Sequence, residues 1–343
     1  MNSEQLAVNS GQWAVFHSAV KLIIQIPCLD EAETLPAVLN SLPTAIPGID
    51  CIETLVIDDG SRDDTVAVAQ SLGVDHIIRH PRNLGLAAAF SNGLEKSLAL
   101  GADIIVNTDG DNQYPSDSIP DLIRPILDGR ADIVIGDRQI HQIAHFSRTK
   151  KLLQYFGSWM VRTVSGTGVP DTTSGFRAYS REAALRLNVL SRYSYTLETI
   201  IQAGKLGLSI ESIPIETNAP TRPSRLQRNA WHFIKAQAGT ILRLYAFYEP
   251  LRTFTYFAMP FLFSGLLLLG RFAYFYLNRQ GDRFVQSVTI GVGLLLVGVT
   301  IFIFGILADI AGKHRQLTQE TLYRLKKAEL NRETAEKDPS SES

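Results

Sequence analysis

An α/β fold, with a mostly parallel sheet, helices on both faces and a membrane-inserted helical hairpin after it, is what three features of this 343-residue sequence predict. Short apolar, β-branched runs alternate with helix-forming stretches from residue 21 onward, the pattern of strand–helix–strand units. Acidic, glycine-bearing turns end two of those runs. Two uncharged stretches fill much of the last third, whereas the first two-thirds mixes charged and apolar residues as a soluble α/β domain does.

Residues 1–20 are a polar tail in which Trp13, Val15 and Phe16 are isolated, too interrupted for a signal peptide or a membrane span. Lys21 to Ile26 is the first strand, stopped by Pro27, and Asp30-Glu31-Ala32-Glu33 favours the first turn of a following helix through its macrodipole. Cys51 to Ile57 is the second strand, running into Asp58-Asp59-Gly60-Ser61 and a helix from about Asp63 to Leu72. His76 to Arg79 reads as a short third strand, Asn83 to Leu100 as a helix and Ala102 to Val106 as the fourth strand. The α/β domain is expected to occupy residues 21–225.

The fourth strand ends in Asn107-Thr108-Asp109-Gly110-Asp111-Asn112-Gln113. Open α/β sheets bind ligands at the carboxyl ends of their strands, which is where Asp109 and Asp111 fall. Two carboxylates at i and i+2 followed by the Gln113 amide offer hard oxygen ligands of the kind that hold Mg2+ or Mn2+. An ordinary acidic turn has the same composition. Asp58 repeats the arrangement at another strand end, where a carboxylate can accept hydrogen bonds from a nucleobase edge, or where Ser61 and Asp63 can simply cap a helix. No G-x-G-x-x-G follows the first strand and no phosphate-binding glycine-lysine loop occurs, so nucleotide binding would run through carboxylates and a metal.

A formal net charge of −1 argues against a nucleic-acid partner. Cys28 and Cys51 are the only cysteines, so a disulfide framework is not expected and a reducing compartment fits. His76/His80 and His141/His145 have helical metal-site spacing but no third ligand, and read as surface histidines. Glu198 opens a helical pattern and serves its first turn.

Pro27-Cys28-Leu29-Asp30-Glu31, Val56-Ile57-Asp58-Asp59-Gly60-Ser61, Arg82-Asn83-Leu84-Gly85 and Asp109-Gly110-Asp111-Asn112-Gln113, in that order, resemble the motifs of inverting family 2 glycosyltransferases with the Rossmann-like GT-A fold. Ala131 to Arg138 and Asp171 to Tyr179 are similar to segments of the dolichyl-phosphate mannose synthase and polyprenyl-phosphate glycosyltransferase branch. The resemblance spans roughly Leu22 to Leu226. It implies that Pro27, Leu29, Asp30, Glu31, Asp58, Asp59 and Asp109 contact a nucleotide diphosphate sugar. It also implies that Asp109, Asp111 and Gln113 hold the metal on the diphosphate. Some relatives carry an acid directly before the Phe-Arg pair, where this chain has Gly175, and the usual Gly-x-Ser-Lys-Leu element appears as Arg222-Pro223-Ser224-Arg225-Leu226.

The acceptor that this branch implies, a lipid phosphate, is already anionic and needs no general base. The difficulty is electrostatic, and arginines must offset the acceptor's charge. Arg138, expected to share the catalytic role with Asp111, Arg148, Arg177, Arg222 and Arg225 are the candidates, with Ser174 in the same loop.

Residues 226–249 form a basic amphipathic stretch with Trp231 and tyrosines, suited either to a bilayer interface or to packing on the domain. Residues 253–277 and 284–308 are each long enough to cross the roughly 30 Å hydrocarbon core, and together set a hairpin within 250–311. Arg222, Arg225, Arg228 and Arg243 precede it and Lys313, Arg315, Arg324, Lys326 and Lys327 follow, against Arg279 and Arg283 in the connection. This bias puts the α/β domain and both termini in the cytoplasm. The tail, 312–343, begins as a helix from Lys313 and fades into disorder at Asp338. The expected activity is inverting hexosyl transfer from a UDP- or GDP-sugar to a polyprenyl phosphate. A processive polysaccharide synthase and a silent membrane scaffold are the alternatives, and self-association stays open.

Overall fold

The structure is a computed structural model that describes residues 19–139, 161–189, 195–218, 245–278 and 284–337, with side chains described up to residue 332. Its sheet has seven strands in the order β3-β2-β1-β4-β6-β5-β7. In chain order the elements of the α/β part are β1 (Lys21–Cys28), α1 (Leu35–Ser41), β2 (Cys51–Asp58), α2 (Thr65–Ser71), β3 (His76–Arg79) and α3 (Leu86–Ala99). They continue with β4 (Ile104–Asn107), α4 (Ile119–Leu127), β5 (Ile133–Asp137), β6 (Arg177–Ser180), α5 (Arg181–Arg186), α6 (Tyr195–Leu206) and β7 (Ile210–Pro214).

Every described pairing is parallel except those of β6, which runs against β4 on one side and β5 on the other. Strand alternation sorts the apolar residues onto two faces. Ile23, Leu55, Ile57 and Ile105 pack with Phe90 and Leu94 of α3, Ala183 of α5 and Leu197 and Ile200 of α6. Leu22, Ile24, Ile26, Val56, Ile104 and Val106 pack on the other face with Leu35 of α1, Ala69 of α2 and Leu122 and Ile123 of α4. The mostly parallel sheet with helices on both faces is therefore as the sequence predicts.

Pro27 does not stop β1, which runs on to Cys28. The reason is local: the pairing of β1 with β4 ends at Gln25–Asn107, so beyond it β1 has one strand neighbour. A prolyl nitrogen without a proton is tolerated where no ladder partner needs it. Helix α3 starts at Leu86 rather than Asn83, because Gly85 adopts φ +98° and ends a loop that precedes the helix. Both cysteines are free, Cys28 buried and Cys51 exposed.

Two helices follow, α7 (Pro250–Leu277) and α8 (Val285–Lys337), both long and apolar enough to cross a membrane. They pack through glycines. A Cβ on Gly265 would lie 2.8 Å from the carbonyl oxygen of Gly291, one on Gly298 2.7 Å from the Leu262 side chain, and one on Gly305 2.7 Å from Phe254. Small residues here let the backbones approach closely. Tyr256, Phe263, Leu266, Leu296 and Phe304 face outward and are exposed. The helix expected from Lys313 is not a separate element: α8 continues unbroken for 53 residues. Of the expected amphipathic stretch, residues 226–244 lie outside the described residues, as do residues 338–343.

The Phe90 ring lies 4.0 Å from that of Tyr195, nearly parallel to it, and is fully buried. Phe90→Ala should therefore destabilise the domain by about 3–5 kcal/mol, read as a lowered midpoint in thermal or denaturant unfolding.

Candidate active site

The carboxyl ends of β1, β2 and β3 border a cavity of about 680 Å³ lined by Leu29, Asp30, Gly60, Ser61, Arg62, Arg79, His80, Pro81, Arg82 and Asn83. Gly60 makes it possible: φ is +79°, and a Cβ would sit 2.5 Å from the Arg82 backbone. Asp58 is fully buried. Its Oδ1 accepts the Ser61 N–H at 3.0 Å, whereas Oδ2 has no hydrogen-bond partner among the described residues and lies 3.6 Å from Arg79 Nε. A buried carboxylate oxygen without a donor is costly, and an N–H from a ligand would satisfy it. Asp30 adopts φ +53°, donates its N–H to Ser61 Oγ at 2.9 Å and accepts the Arg62 N–H at 2.8 Å.

Asp59, expected at the donor, is engaged within the protein. Its buried carboxylate accepts the N–H groups of Leu84 and Gly85 at 2.8 and 2.9 Å and meets His80 Nδ1 at 2.7 Å. It braces the loop that walls the cavity. His80, expected at the surface, is likewise buried, with Asn92 Nδ2 on its other ring nitrogen at 2.8 Å. His76 is half-buried, with Nε2 2.8 Å from Glu53.

The acid pair stands beside this cavity at the end of β4. Asn107 is fully buried; its Oδ1 accepts from Gln25 and its Nδ2 donates to the Gly175 carbonyl at 2.9 Å and to Tyr195 Oη at 3.1 Å. Gly110 has no room for a side chain, since a Cβ would meet Cys28 Sγ at 2.9 Å. The Thr34 hydroxyl lies 2.7 Å from the Gly110 carbonyl and 2.8 Å from Glu31 Oε2, tying the end of β1 to the acid loop. Asp111 Oδ1 accepts the Gln113 N–H at 3.1 Å, with Asn112 between them at φ +59°. Asp109, Asp111 and Gln113 are all half-buried. Burial, and then the neighbouring Asp111, push the Asp109 carboxyl up to about 7, against the opposing pull of Arg138.

Two crowded carboxylates of this kind are suited to a divalent cation. No group of three His, Cys, Asp or Glu converges among the described residues. The donor set thus fits an ion that keeps waters and takes further ligands from phosphate oxygens, and Gln113 adds an amide beside the pair.

Arg138 follows β5 and is held by a residue the sequence reading did not single out. Its Nε and Nη2 donate to Asp171 Oδ2 and Oδ1 at 2.7 and 3.1 Å, and Nη2 also donates to Thr173 Oγ1 at 2.7 Å. Asp171 in turn caps its own loop, accepting the N–H groups of Thr173 and Ser174 at 3.1 Å. That Asp-x-Thr-Ser turn pattern was the signal available for it. Gly175 closes the site, its N–H donating to Tyr114 Oη at 3.0 Å. A Cβ there would meet Tyr195 Oη at 2.9 Å and both Asp109 carboxylate oxygens at 3.2 Å.

Arg177 and Ser174, both expected at the acceptor, lie in the interior beside Gly175. Arg177 is fully buried and donates to the carbonyls of Ser174, Thr196 and Thr172 and to Thr199 Oγ1, at 2.7 to 3.0 Å. Its guanidinium organises the approach to α6. Ser174 is also fully buried. Pro27 lies in the sheet, and Glu31 is buried beside Gly110. Arg148, Arg222 and Arg225, and the His141/His145 pair, lie outside the described residues.

A seven-stranded mixed sheet with a nucleotide-sized cavity and an acid pair at its strand ends defines a GT-A-type glycosyltransferase domain. Solved structures bear out the fold. Glucosyl-3-phosphoglycerate synthase from Mycobacterium tuberculosis, crystallised with Mn2+, UDP and glucosyl-3-phosphoglycerate, superposes with a TM-score of 0.51 at 22% identity, over 66% of this chain and 79% of that one. Residues 23–187 match the family described as glycosyl transferase family 2. A UDP-N-acetylglucosamine–dolichyl-phosphate N-acetylglucosaminyltransferase of Methanococcus voltae is 32% identical over 224 residues, covering 58% of this chain and 86% of the relative. An undecaprenyl-phosphate mannosyltransferase of Micrococcus luteus is 28% identical over 206 residues, covering 57% and 83%. The chain belongs to glycosyl transferase family 2.

Burial pushes the Asp171 carboxyl up, but Arg138 and Thr173 outweigh it and hold it below the usual carboxylate range. A depressed carboxyl stabilises the fold above its unfolded value, about 3.9, and loses that contribution as pH falls through the folded value. Asp171→Asn should lower stability at neutral pH by about 3–5 kcal/mol, as expected when a buried pair loses one partner. The gap in melting temperature between variant and wild type should close below about pH 4.

Proposed function

We propose that this protein is an inverting hexosyltransferase that moves a sugar from a nucleotide diphosphate sugar, UDP- or GDP-linked, to a polyprenyl phosphate at the cytoplasmic membrane face. The observation that carries this reading is Gly175. A methyl group at this position would press on the Tyr195 hydroxyl at 2.9 Å and on the Asp109 carboxylate at 3.2 Å. A side-chain base there is excluded, which suits an acceptor that arrives as an anion. Two relatives with the names given above act on lipid phosphates of this class, and the domain precedes two membrane-length helices.

In this reading the base of the donor enters the cavity beside Leu29 and Asp30 and donates an N–H to the orphan Asp58 Oδ2. Uracil N3–H and guanine N1–H both provide such a group. Asp109 and Asp111, with Gln113, would hold Mg2+ or Mn2+ on the diphosphate, where the ion offsets charge on the leaving group. An acceptor phosphate oxygen forms the new bond to the anomeric carbon from the face opposite the diphosphate. The old C–O bond breaks with its electron pair going to the nucleoside diphosphate, and no proton is transferred. Arg138, whose Nη1 has no partner among the described residues, offsets the incoming charge while Asp171 fixes its plane. Arg148, Arg222 and Arg225 remain proposed acceptor ligands.

Placement of the domain on the cytoplasmic side rests on the charge bias of the flanks, and the contacts of the hairpin put its two outer ends on the same side as the domain. Both outer ends of the hairpin are fastened to the domain, Glu249 to Lys205 and Tyr323 to Glu182.

Incubating purified protein with labelled nucleotide sugars and polyprenyl phosphate should move label into the organic phase; label that stays aqueous with every donor would overturn the reading. Asp111→Ala should lower transfer at least about 100-fold with the fold retained, the scale of removing charge stabilisation from a transition state. Asp58→Asn should raise the donor KM about tenfold or more, the scale of a charged hydrogen bond, with little change in kcat.

A further inference from the structure

The seven-residue spacing of Gly291, Gly298 and Gly305, which seats α8 on α7, does not stop where the apolar run ends. Continued, it reaches Gly312, Gln319 and Lys326. From residue 312 to 332 the half-buried positions of α8 are these together with Arg315, Leu322, Tyr323 and Leu330, and every other position is exposed. They recur at three- and four-residue intervals, so a single face of one helix packs first on α7 and then on the α/β domain.

The second half of that face makes specific contacts. Arg315 stacks over the rings of Phe247 and Tyr248, at 3.7 and 4.7 Å, and Tyr248 Oη donates to Glu198 of α6 at 3.4 Å. Tyr323 Oη donates to Glu182 of α5 at 2.7 Å and accepts from Lys327, with Arg186 4.8 Å from its ring centroid. Lys326 reaches Glu95 of α3 at 3.0 Å. Tyr323 and Leu330 pack against the core on the α3, α5 and α6 face. Helix α6 opens beside the acid pair with Tyr195, whose hydroxyl lies where a Cβ on Gly175 would also meet Asp109, whereas α5 follows β6 at the other end of β4, with the Arg181 N–H on the Asp103 carbonyl, so the seated face of α8 spans the height of the sheet.

We propose that α8 is a rigid gauge whose one continuous face, through Arg315, Tyr323 and Lys326 as positioning residues, sets the height and rotation of the acid pair over the bilayer. The proposal rests on the lipid-acceptor reading. The distance from Ala308, where the apolar run ends, to Tyr323 is about 22 Å of helix. A lipid phosphate cannot leave the surface to find its partner, so the domain has to be held where the phosphate is. Uninterrupted helix does this where a flexible linker would not.

Phase is what the test addresses. One alanine inserted between Gly312 and Lys313 rotates everything beyond it by about 100°, taking Tyr323 off its seat while leaving the glycine seam on α7. The same insertion after Arg332 leaves the seated face in phase and is the control. Transfer to a long-chain polyprenyl phosphate in vesicles should fall at least about tenfold for the first insertion, as misplacement of reacting groups does. Transfer to a short, soluble prenyl phosphate and donor nucleotide binding should hold, hydrogen exchange in α5 and α6 should rise, and the control should match wild type. Unchanged long-chain transfer, or equal loss on both acceptors, would overturn the gauge. Should the insertion prevent folding, Tyr323→Phe with Glu182→Gln carries the same comparison, and no split between the two acceptors counts against the proposal. Wild-type protein that transfers to neither acceptor sinks the lipid reading instead, and unchanged exchange in α5 and α6 after the insertion then overturns the gauge on its own.

Discussion

Two carboxylates two residues apart at the end of β4 repel each other, and much of the domain can be understood as the scaffold that keeps them there. Burial and the nearness of Asp111 raise the Asp109 carboxyl to about 7. What keeps it from relaxing is geometric. Gly110 is wedged against Cys28 and Glu31, its carbonyl is engaged by Thr34, and Asn107 behind it is hydrogen-bonded on three sides. Two half-buried carboxylates held this close form a donor set whose hardness and charge suit a divalent ion.

The surroundings divide by sign. On the β1–β2–β3 side Asp58 presents an acceptor that lacks a donor. On the β5–β6 side Arg138 presents positive charge, already aligned by Asp171. Gly175 lies between, too confined for any side chain. An unsatisfied acceptor, an acid pair and a guanidinium thus stand in that order around the strand ends. A donor diphosphate and an anionic acceptor would find their charges matched in that order, and no group for removing a proton stands next to Asp109 at residue 175. The balance falls on positioning and electrostatics rather than acid–base chemistry.

How far this was legible in the sequence differs element by element. The strands β1 to β4 and the acids at their ends follow from local rules, because β-branched runs and Asp-Gly turns act over a few residues. The burial of Arg177 is not legible, because an arginine after a glycine-aromatic pair looks the same whether it meets solvent or donates to four oxygens of residues 172–199. Asp59 and His80 form a buried pair across 21 residues, and spacing alone gives no hint of it. The partnership of Arg138 with Asp171 spans 33 residues of the chain between β5 and β6. The unbroken length of α8 was obscured for a different reason: composition changes sharply at the membrane boundary, while helix propensity does not.

That last point bears on how a soluble fold works at a surface. Membrane anchoring by itself confines a domain to a layer but leaves it free to tilt, and a tilt of the sheet would swing the strand ends away from the bilayer. Here the hairpin leaves the domain at Tyr248 and Glu249, on α6, and returns along α5 and α3. Two separated attachments resist rotation where a single one cannot. Each of these surface contacts is worth little alone, of the order of 0–1 kcal/mol. They act together because the helix that carries them is continuous and also packs Leu330 and Tyr323 on the core. The orientation of the acid pair is thus set by the sum of many weak contacts along one rigid element, which is a sturdier arrangement than one strong contact at a flexible joint.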